Sequence, residues 1–199
     1  EAFWTGDSRV YVQFPSGLLQ VTKDHLSSPL DALENLSQDS PLSNCASADQ
    51  EFFVESIPIT CGVPLIAIAA TDGAFGYVKS PLLFEHLLLS TLCCSKSMSE
   101  WSHLLGSRLS EITADDVSMA IVTVGARSFR ELTKYFRMRA ESVAVEARRL
   151  EEAHERSNRA TAEAERLRAN AEDLVRSSWA QYRGDYEQNF RSYRSSGGS

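Results

Sequence analysis

The sequence predicts an α+β fold, with antiparallel strands first, helices next, then one more strand and a long C-terminal helix. Three observations carry this prediction. Residues 3–21 and 52–70 show the alternating or continuous apolar patterns of strands, residues 81–110 change to helical spacing, and residues 128–182 contain no Gly or Pro. Because the strands precede the helices and do not alternate with them, we expect layered antiparallel sheets and not a doubly wound parallel sheet.

The charge of the chain is unevenly distributed. The 199 residues carry a net charge of -7, but residues 1–126 hold 5 Lys and Arg against 15 Asp and Glu, while residues 127–199 hold 15 against 12. An acidic body repels the phosphates of nucleic acid and attracts cations. We therefore expect no nucleic-acid partner, and a cation site is the better match to this part of the chain.

The cysteine pattern and the termini bear on the compartment. Cys45, Cys61, Cys93 and Cys94 form no CxxC pair and have no spaced His partners, so we expect reduced thiols and neither a zinc site nor a disulfide framework. No apolar run is long enough to span a bilayer. We expect a cytoplasmic protein with no membrane partner. The strand-like start and the linker-like residues 195–199, a flexible tail or an artificial linker, suggest an excerpt from a longer protein.

A β-hairpin is predicted at the start of the chain. Residues 3–14 alternate between apolar and polar side chains around a loop or bulge at Gly6-Asp7. Pro15-Ser16-Gly17 supplies a turn before the second strand, residues 18–21. Thr22-Lys23-Asp24-His25 closes the hairpin.

The most apolar run of the sequence, residues 65–70, predicts a buried strand. It follows a polar stretch over residues 27–50, where we expect short helical turns in a surface loop, and an alternating strand over residues 52–59. The run stops at Thr71-Asp72-Gly73. This triplet is either a plain turn or a carboxylate delivered to the rim of a sheet, where carboxylates are suited to holding a metal.

Two helices and a final strand complete this part of the chain. Leucines at helical spacing predict a helix over residues 81–92, and a second apolar face predicts another over residues 99–110. Thr113-Ala114-Asp115-Asp116 is the next turn. The apolar residues 117–124 predict the last strand.

Residues 127–194 are predicted to form a helical extension, separate from a domain of residues 1–126. A heptad pattern of small and apolar residues continues along the extension. Its larger members are Val143, Leu150, Leu167 and Leu174. We call this line of heptad positions the seam. It favours a homodimer or the docking of a partner helix. The alternative is a solvated helical stalk without a partner. Phe129, Leu132 and Phe136 either extend the seam or pack back on the sheet.

Four short motifs stand in order along the first domain: Gly6-Asp7-Ser8-Arg9-Val10-Tyr11, Thr22-Lys23-Asp24-His25, Thr71-Asp72-Gly73 and Asp115-Asp116-Val117-Ser118. Together with the hairpin between the first two and the apolar strand before the third, they resemble the second half of the metal-dependent protein phosphatase 2C family. The resemblance covers residues 3–125.

The resemblance implies part of a sandwich of antiparallel β-sheets flanked by helices, with two Mg or Mn ions at one edge. The ions would activate a water that attacks phosphoserine or phosphothreonine of a phosphoprotein substrate. By motif, Asp72 and Asp115 correspond to metal ligands, and Asp7 corresponds to an acid near an accessory third ion. The supporting positions are Gly73, Asp116 and His25. His25 is either an acid or a structural histidine at the end of the hairpin.

Two departures from the family pattern bear on activity. Position 76 is Gly where the family has a second carboxylate, so we expect the third ion to be weakly held or absent. The earlier half of the family's domain, which supplies the acid that bridges the two metals, has no counterpart here. Two interpretations remain: a phosphatase completed by an N-terminal half in the same or another chain, and a catalytically impaired pseudophosphatase that regulates partners through its surface and long helix.

Overall fold

The computed structural model describes residues 1–27, 31–34, 41–60 and 62–196, without the side chains of residue 190 and residues 192–196. The loop predicted over residues 27–50 falls partly outside these ranges. In its described part, Asp31 Oδ1 accepts the N–H groups of Leu33 and Glu34, both at 2.8 Å, which makes one of the expected short turns. The chain divides into two units, Glu1–Arg148 (unit 1) and Arg149–Ser199 (unit 2).

The elements follow the predicted order, and the α+β class with antiparallel sheets and a long C-terminal helix is confirmed. In chain order they are β1 Ala2–Trp4, β2 Arg9–Phe14, β3 Gly17–Gln20, β4 Glu55–Ile57, β5 Leu65–Ala70, α1 Asp72–Phe75, α2 Pro81–Cys94, α3 Met98–Ile112, β6 Met119–Val124 and α4 Phe129–Ser196.

Unit 1 contains two antiparallel sheets. The larger sheet has the strand order β3-β2-β5-β6, and the smaller one pairs β1 with β4. In the larger sheet Tyr11 lies opposite Gln20 on one side and Ile68 on the other, and Ile68 in turn lies opposite Ile121. The β2–β3 hairpin and the buried strand β5 are therefore where the sequence predicts them.

The prediction that residues 3–14 form one strand of the hairpin is wrong in one respect, because these residues contribute to both sheets. Gly6 has a φ of +79°, a left-handed conformation that interrupts an extended strand, and the chain passes there from β1 to β2. The strand predicted over residues 52–59 shortens to the three residues of β4. Its first part is a loop, because the Asn44 side chain binds both the N–H and the C=O of Phe53 at 3.1 and 2.9 Å.

One face of the larger sheet carries the hydrophobic core of unit 1. The helices α2, α3 and the first five turns of α4 contribute large side chains that are almost fully buried, among them Phe84, Trp101, Leu109, Leu132 and Phe136. Burial of each such side chain contributes about 1.5–3 kcal/mol to the free energy of unfolding. Of the two alternatives for Leu132 and Phe136, packing back on the sheet is the one observed, and Phe129 packs half-buried against the same core.

A polar cluster joins the sheet to α2 and α4 inside this core. Glu85, only 4% exposed, accepts hydrogen bonds from Arg139 Nε at 2.8 Å and Arg139 Nη2 at 2.7 Å. The Gln13 amide of β2 also donates to Glu85 Oε1, at 2.8 Å. Since a buried carboxylate is costly unless it is paired and hydrogen-bonded, these contacts fix the position of α4 against the sheet.

The opposite face of the larger sheet is partly open. Leu19, Val122 and Val124 are 51%, 60% and 41% exposed, although they lie in the apolar strands β3 and β6. Cys45, Cys93 and Cys94 are free thiols, and Cys61 lies outside the described residues. Among the described residues, no helix is both long and apolar enough to cross a membrane.

Unit 2 consists of the remaining part of α4. Every side chain from residue 151 to residue 186 is exposed. Arginines pair with glutamates one turn away, as in Arg159–Glu155 at 3.0 Å and Arg166–Glu163 at 2.9 Å. The predicted seam is divided between the units.

The four larger seam residues differ in burial. Val143 is buried in the core of unit 1 and Leu150 is half-buried, whereas Leu167 and Leu174 are 57% and 67% exposed. Val143 is therefore a core residue, and the interface remains a prediction for the exposed members.

Candidate functional site

Asp72 stands at the end of the central strand β5, where the helix α1 begins. The preceding residue, Thr71, ties this end to the start of β6: its N–H donates to the Ser118 carbonyl at 3.0 Å, and its Oγ1 accepts the Ser118 N–H at 3.1 Å. Because β5 and β6 run antiparallel, the residues just after β5 and just before β6 share one edge of the sheet. Asp72 and Asp115 are thereby brought to the same edge.

Gly73 makes the close approach of these two segments possible. A Cβ atom at this position would lie 2.3 Å from the Asp116 carbonyl oxygen and 3.6 Å from the Asp115 Cβ. Only a residue without a side chain fits against this backbone. The Asp-Gly pair of the motif therefore allows the Asp115-Asp116 loop to pack against the first turn of α1.

Asp7 approaches the same edge from the loop between β1 and β2. Its side chain is half-buried. Burial raises the pKa of Asp7, and the negative charges of Asp72 and Asp24 raise it further. We call Asp7, Asp72 and Asp115 the acidic edge.

The carboxylates of the acidic edge have local hydrogen bonds. Asp72 Oδ1 accepts the N–H of Gly73 at 2.9 Å, and Asp115 Oδ1 accepts the N–H of Asp116 at 2.8 Å. Asp72, Asp115 and Asp116 are all exposed. Asp116 contributes its backbone to this packing.

The acidic edge has the chemistry of a Mg or Mn site but not the number of ligands. Hard divalent cations prefer carboxylate oxygens and, for Mg, a near-octahedral set. Among the described residues, no group of three or more His, Cys, Asp or Glu side chains is close enough to hold a metal ion. Gly76, which ends α1 with its N–H donating to the Asp72 carbonyl at 2.6 Å, adds no carboxylate. The described residues therefore do not by themselves supply a complete set of metal ligands.

An apolar cleft of about 600 Å³ opens next to the acidic edge, between the two sheets. Thr71 and Ser118 line its rim, and Trp4, Ala69 and Ala120 are among the residues of its walls. Its lining is almost entirely uncharged. The cleft is thus suited to an apolar group and not to a phosphate.

No protein-family model and no curated protein matches the chain. Solved structures do. The chain is similar to MsPP, a PPM Ser-Thr phosphatase of Mycobacterium smegmatis, with 17% identity, 60% of this chain and 53% of that chain covered, and a TM-score of 0.47.

Two further solved structures are similar over comparable parts of the chain. PppA, named as a key regulatory component of the T6SS in Pseudomonas aeruginosa, is 15% identical over 61% of this chain and 50% of that one, with a TM-score of 0.46. A C. elegans sex determining protein is 18% identical over 67% and 38%, with a TM-score of 0.48. The chain spans about half the length of the first two proteins and less of the third.

His25 is buried next to the loop that carries Asp7. It is 8% exposed, and Nδ1 accepts the N–H of Gly6 at 3.1 Å. Trp4 stacks on the ring with centroids 6.3 Å apart, and Nε2 lies 3.5 Å from Glu55 Oε1. In this position His25 links β1, the Asp7 loop and β4.

Arg9 and Asp24 stand in the motifs, and the structure shows that they form a pair that the motifs alone do not indicate. Arg9 Nε lies 2.9 and 3.0 Å from the two carboxylate oxygens of Asp24. Arg9 also donates to the Tyr11 hydroxyl at 3.2 Å. The sequence contains part of the information that indicates this pair, because Arg9 and Tyr11 share one face of β2 and Asp24 follows the strand paired with it.

Proposed function

We propose that the chain is the C-terminal part of a Mg- or Mn-dependent protein Ser/Thr phosphatase of the 2C type. The observation that carries the proposal is the sheet edge shared by the segments of Asp72 and Asp115, with Asp7 near enough to be affected by the charge of Asp72. The order of the four motifs supports it. The remaining ligands would come from an N-terminal half in the same or another chain, and the substrate would be a phosphoprotein.

Asp72 and Asp115 would hold the metal, and Asp7 would stand beside it. Mutual repulsion among these carboxylates would be relieved by a dication, and Gly73 would keep the two ligand segments in contact. A bound Mg or Mn ion would supply a water of lowered pKa for attack on a phosphate ester. The third, accessory ion is not expected, because position 76 offers no carboxylate.

Phosphate release from a phosphoserine peptide by the full-length protein in Mn²⁺ tests this proposal. Asp72→Asn and Asp115→Asn should each lower the rate by about 100-fold or more, since even residues that only support metal ligands cost about 10–100-fold. Asp173→Asn, the same change on the exposed part of α4, is the matched control and should leave the rate unchanged. Full activity of both edge variants would refute the assignment.

A second candidate function is that of a pseudophosphatase, a regulatory module with the same fold and no turnover. It is favoured by Gly76 and by the incomplete ligand set of the described residues. Titration of Mn²⁺ into the full-length protein by calorimetry separates the two candidates. Absence of binding heat supports the pseudophosphatase, and binding accompanied by turnover contradicts it.

The long helix adds a proposed interaction in either case. The exposed apolar residues of the seam in unit 2, Leu167 and Leu174, would associate with a second copy of the chain or with a partner helix. Six large apolar or aromatic side chains among the described residues from 151 to 186 are exposed, and they support this proposal because an isolated helix buries none of them. They are Leu167, Leu174, Val175, Trp179, Tyr182 and Tyr186.

A further inference from the structure

A second pocket of unit 1 is lined by positive charge. It has a volume of about 700 Å³ and lies between the C-terminal end of α2 and the first turns of α4. Lys96, Arg130, Lys134 and Arg137 line it, and no carboxylate does. We call these four residues the basic pocket. Lys96 is one of only five Lys and Arg within residues 1–126, so the position of this charge is uncommon for the acidic part of the chain.

The four cations have no ion-pair partner among the described residues, although carboxylates are abundant in the chain. Arginines farther along the same helix do pair, as Arg159 does with Glu155 and Arg166 with Glu163. Arg130, Lys134 and Arg137 are spaced four and three residues apart, which places like charges on one face of α4 where they repel one another. Such an arrangement is mildly unfavourable for the helix, and a bound anion would relieve the repulsion.

Helix electrostatics give a second argument for Arg130. It stands in the first turn of α4, where the helix macrodipole is positive and favours acids over bases. The neighbouring Glu131 meets that preference, and each of its carboxylate oxygens accepts a hydrogen bond. One accepts the N–H of Arg127 at 2.7 Å, and the other accepts the hydroxyl of Tyr135 at 2.8 Å. Stability of the helix start therefore does not explain Arg130.

The acids nearest to the pocket do not neutralise it. Glu100 accepts the backbone N–H of Lys96 at 2.8 Å. This contact does not involve the Lys96 ammonium group. Glu141 acts electrostatically on the half-buried thiol of Cys93, which also lines the pocket. Glu131 acts electrostatically on Lys134 as well. None of these three acids lines the pocket, whose four charged lining residues are all cations.

The donors in the pocket determine the class of ligand. Ser95 and Thr133 line it too, but their hydroxyls donate to the carbonyls of Thr91 and Phe129 at 2.8 and 3.0 Å, so the guanidinium and ammonium groups are the free donors. Clustered Arg and Lys are suited to a doubly charged phosphoryl group. We propose that the basic pocket binds a phosphorylated side chain of a peptide.

A phosphopeptide matches the pocket better than a nucleic acid or a membrane surface. The site is a concavity of a size that takes a few side chains, and the surrounding residues 1–126 carry a net charge of -10, which repels extended polyanions. The inference stands apart from catalysis, because the pocket contains none of the acidic edge. It holds for an active phosphatase and for a regulatory module alike.

Binding of a fluorescent phosphoserine peptide to the full chain, followed by anisotropy in EDTA, tests the inference without metal-dependent turnover. The triple variant Arg130→Gln, Lys134→Gln and Arg137→Gln should weaken binding by roughly tenfold or more, because each lost charge-assisted hydrogen bond reduces affinity. The matched control removes the same charge from unit 2 by Arg159→Gln, Arg166→Gln and Arg176→Gln, and it should keep the affinity. Thermal unfolding by circular dichroism checks that both variants fold.

Three outcomes would overturn the proposal. They are equal losses in the two triple variants, equal affinity for the unphosphorylated peptide, and tighter binding of an oligonucleotide or of phosphatidylserine vesicles than of the phosphopeptide. A second readout does not depend on any variant: bound phosphopeptide should slow the alkylation of Cys93 in the pocket and leave that of the exposed Cys45 unchanged. Unaltered alkylation of Cys93 at saturating peptide would also contradict it.

Discussion

The guanidinium of Arg9 is held by both oxygens of the Asp24 carboxylate, and each of these side chains is only 3% exposed. The same guanidinium lies 4.1 Å from the centroid of the Phe75 ring. Phe75 ends α1, the helix that begins with Asp72, and Asp24 follows the β2–β3 hairpin. The pair therefore fastens the hairpin to the segment that carries the acidic edge. Burial lowers the pKa of Arg9, but the hydrogen bonds to Asp24 and Tyr11 outweigh this effect, so the pKa is raised overall.

Arg9→Met should strongly destabilise unit 1, because it leaves the Asp24 carboxylate buried without its main cation. Removal of one partner of a buried pair costs about 3–5 kcal/mol. Urea denaturation followed by tryptophan fluorescence measures the change. Arg108→Met breaks the exposed Arg108–Glu111 pair and is the control, with an expected cost below about 1 kcal/mol. Equal costs would show that Arg9 has no special structural role.

Gly73→Ala tests the close packing at the acidic edge. The added Cβ would lie 2.3 Å from the Asp116 carbonyl oxygen, so one of the two segments has to move, at a cost of about 1–3 kcal/mol. Gly106→Ala in the interior of α3 is a contrasting control. A Cβ there meets no atom within 4 Å, and the change should stabilise the protein by about 0.5–1 kcal/mol. A neutral Gly73→Ala would contradict the tight contact.

The thiol of Cys93 should react slowly near neutral pH and faster as the pH rises. Burial raises its pKa, and Arg137 partly offsets this effect. Because the thiolate is the reactive form, less of it is present near neutral pH, and the rate should rise as the pH passes through the raised pKa. Alkylation with iodoacetamide from pH 7 to pH 10, read by mass spectrometry, gives the profile. Its midpoint should lie above the ordinary pKa of a cysteine thiol, and a midpoint at or below that ordinary value would contradict the burial.

Truncation should separate the two roles of α4. A variant that ends at Arg148 retains Leu132, Phe136 and Val143 and should unfold cooperatively in urea. A variant that ends at Ala126 loses these core residues and should show no cooperative transition. Sedimentation velocity of the full chain and of the Arg148 variant then tests the seam: a dimer in the first and a monomer in the second would support self-association, and two monomers would refute it.

Local patterns were sufficient to predict most of the elements. The alternation in β2, the apolar run of β5 and the leucine spacing of α2 depend on residues that are near in sequence, so a single sequence reveals them. The passage from β1 to β2 was missed because it depends on the backbone conformation of Gly6. The short length of β4 was missed for a related reason: Asn44, nine residues before Phe53, takes the hydrogen bonds that a strand would need.

The candidate site was predicted in part. The motif order led to Asp7, Asp72 and Asp115, and the antiparallel pairing of β5 with β6 explains why two of them share an edge. The partners of buried charges could not be predicted in the same way. Glu85 and Arg139 are 54 residues apart, and nothing in the local sequence of either residue indicates the other.

The contribution of α4 to the core also sets an order for biosynthesis. Leu132, Phe136 and Val143 are translated after every strand of both sheets. A nascent chain that has emerged only as far as β6 exposes the apolar side chains that those three residues later cover. Such partly covered surfaces are prone to aggregate. We therefore expect the core of unit 1 to close only after the start of its long helix has left the ribosome.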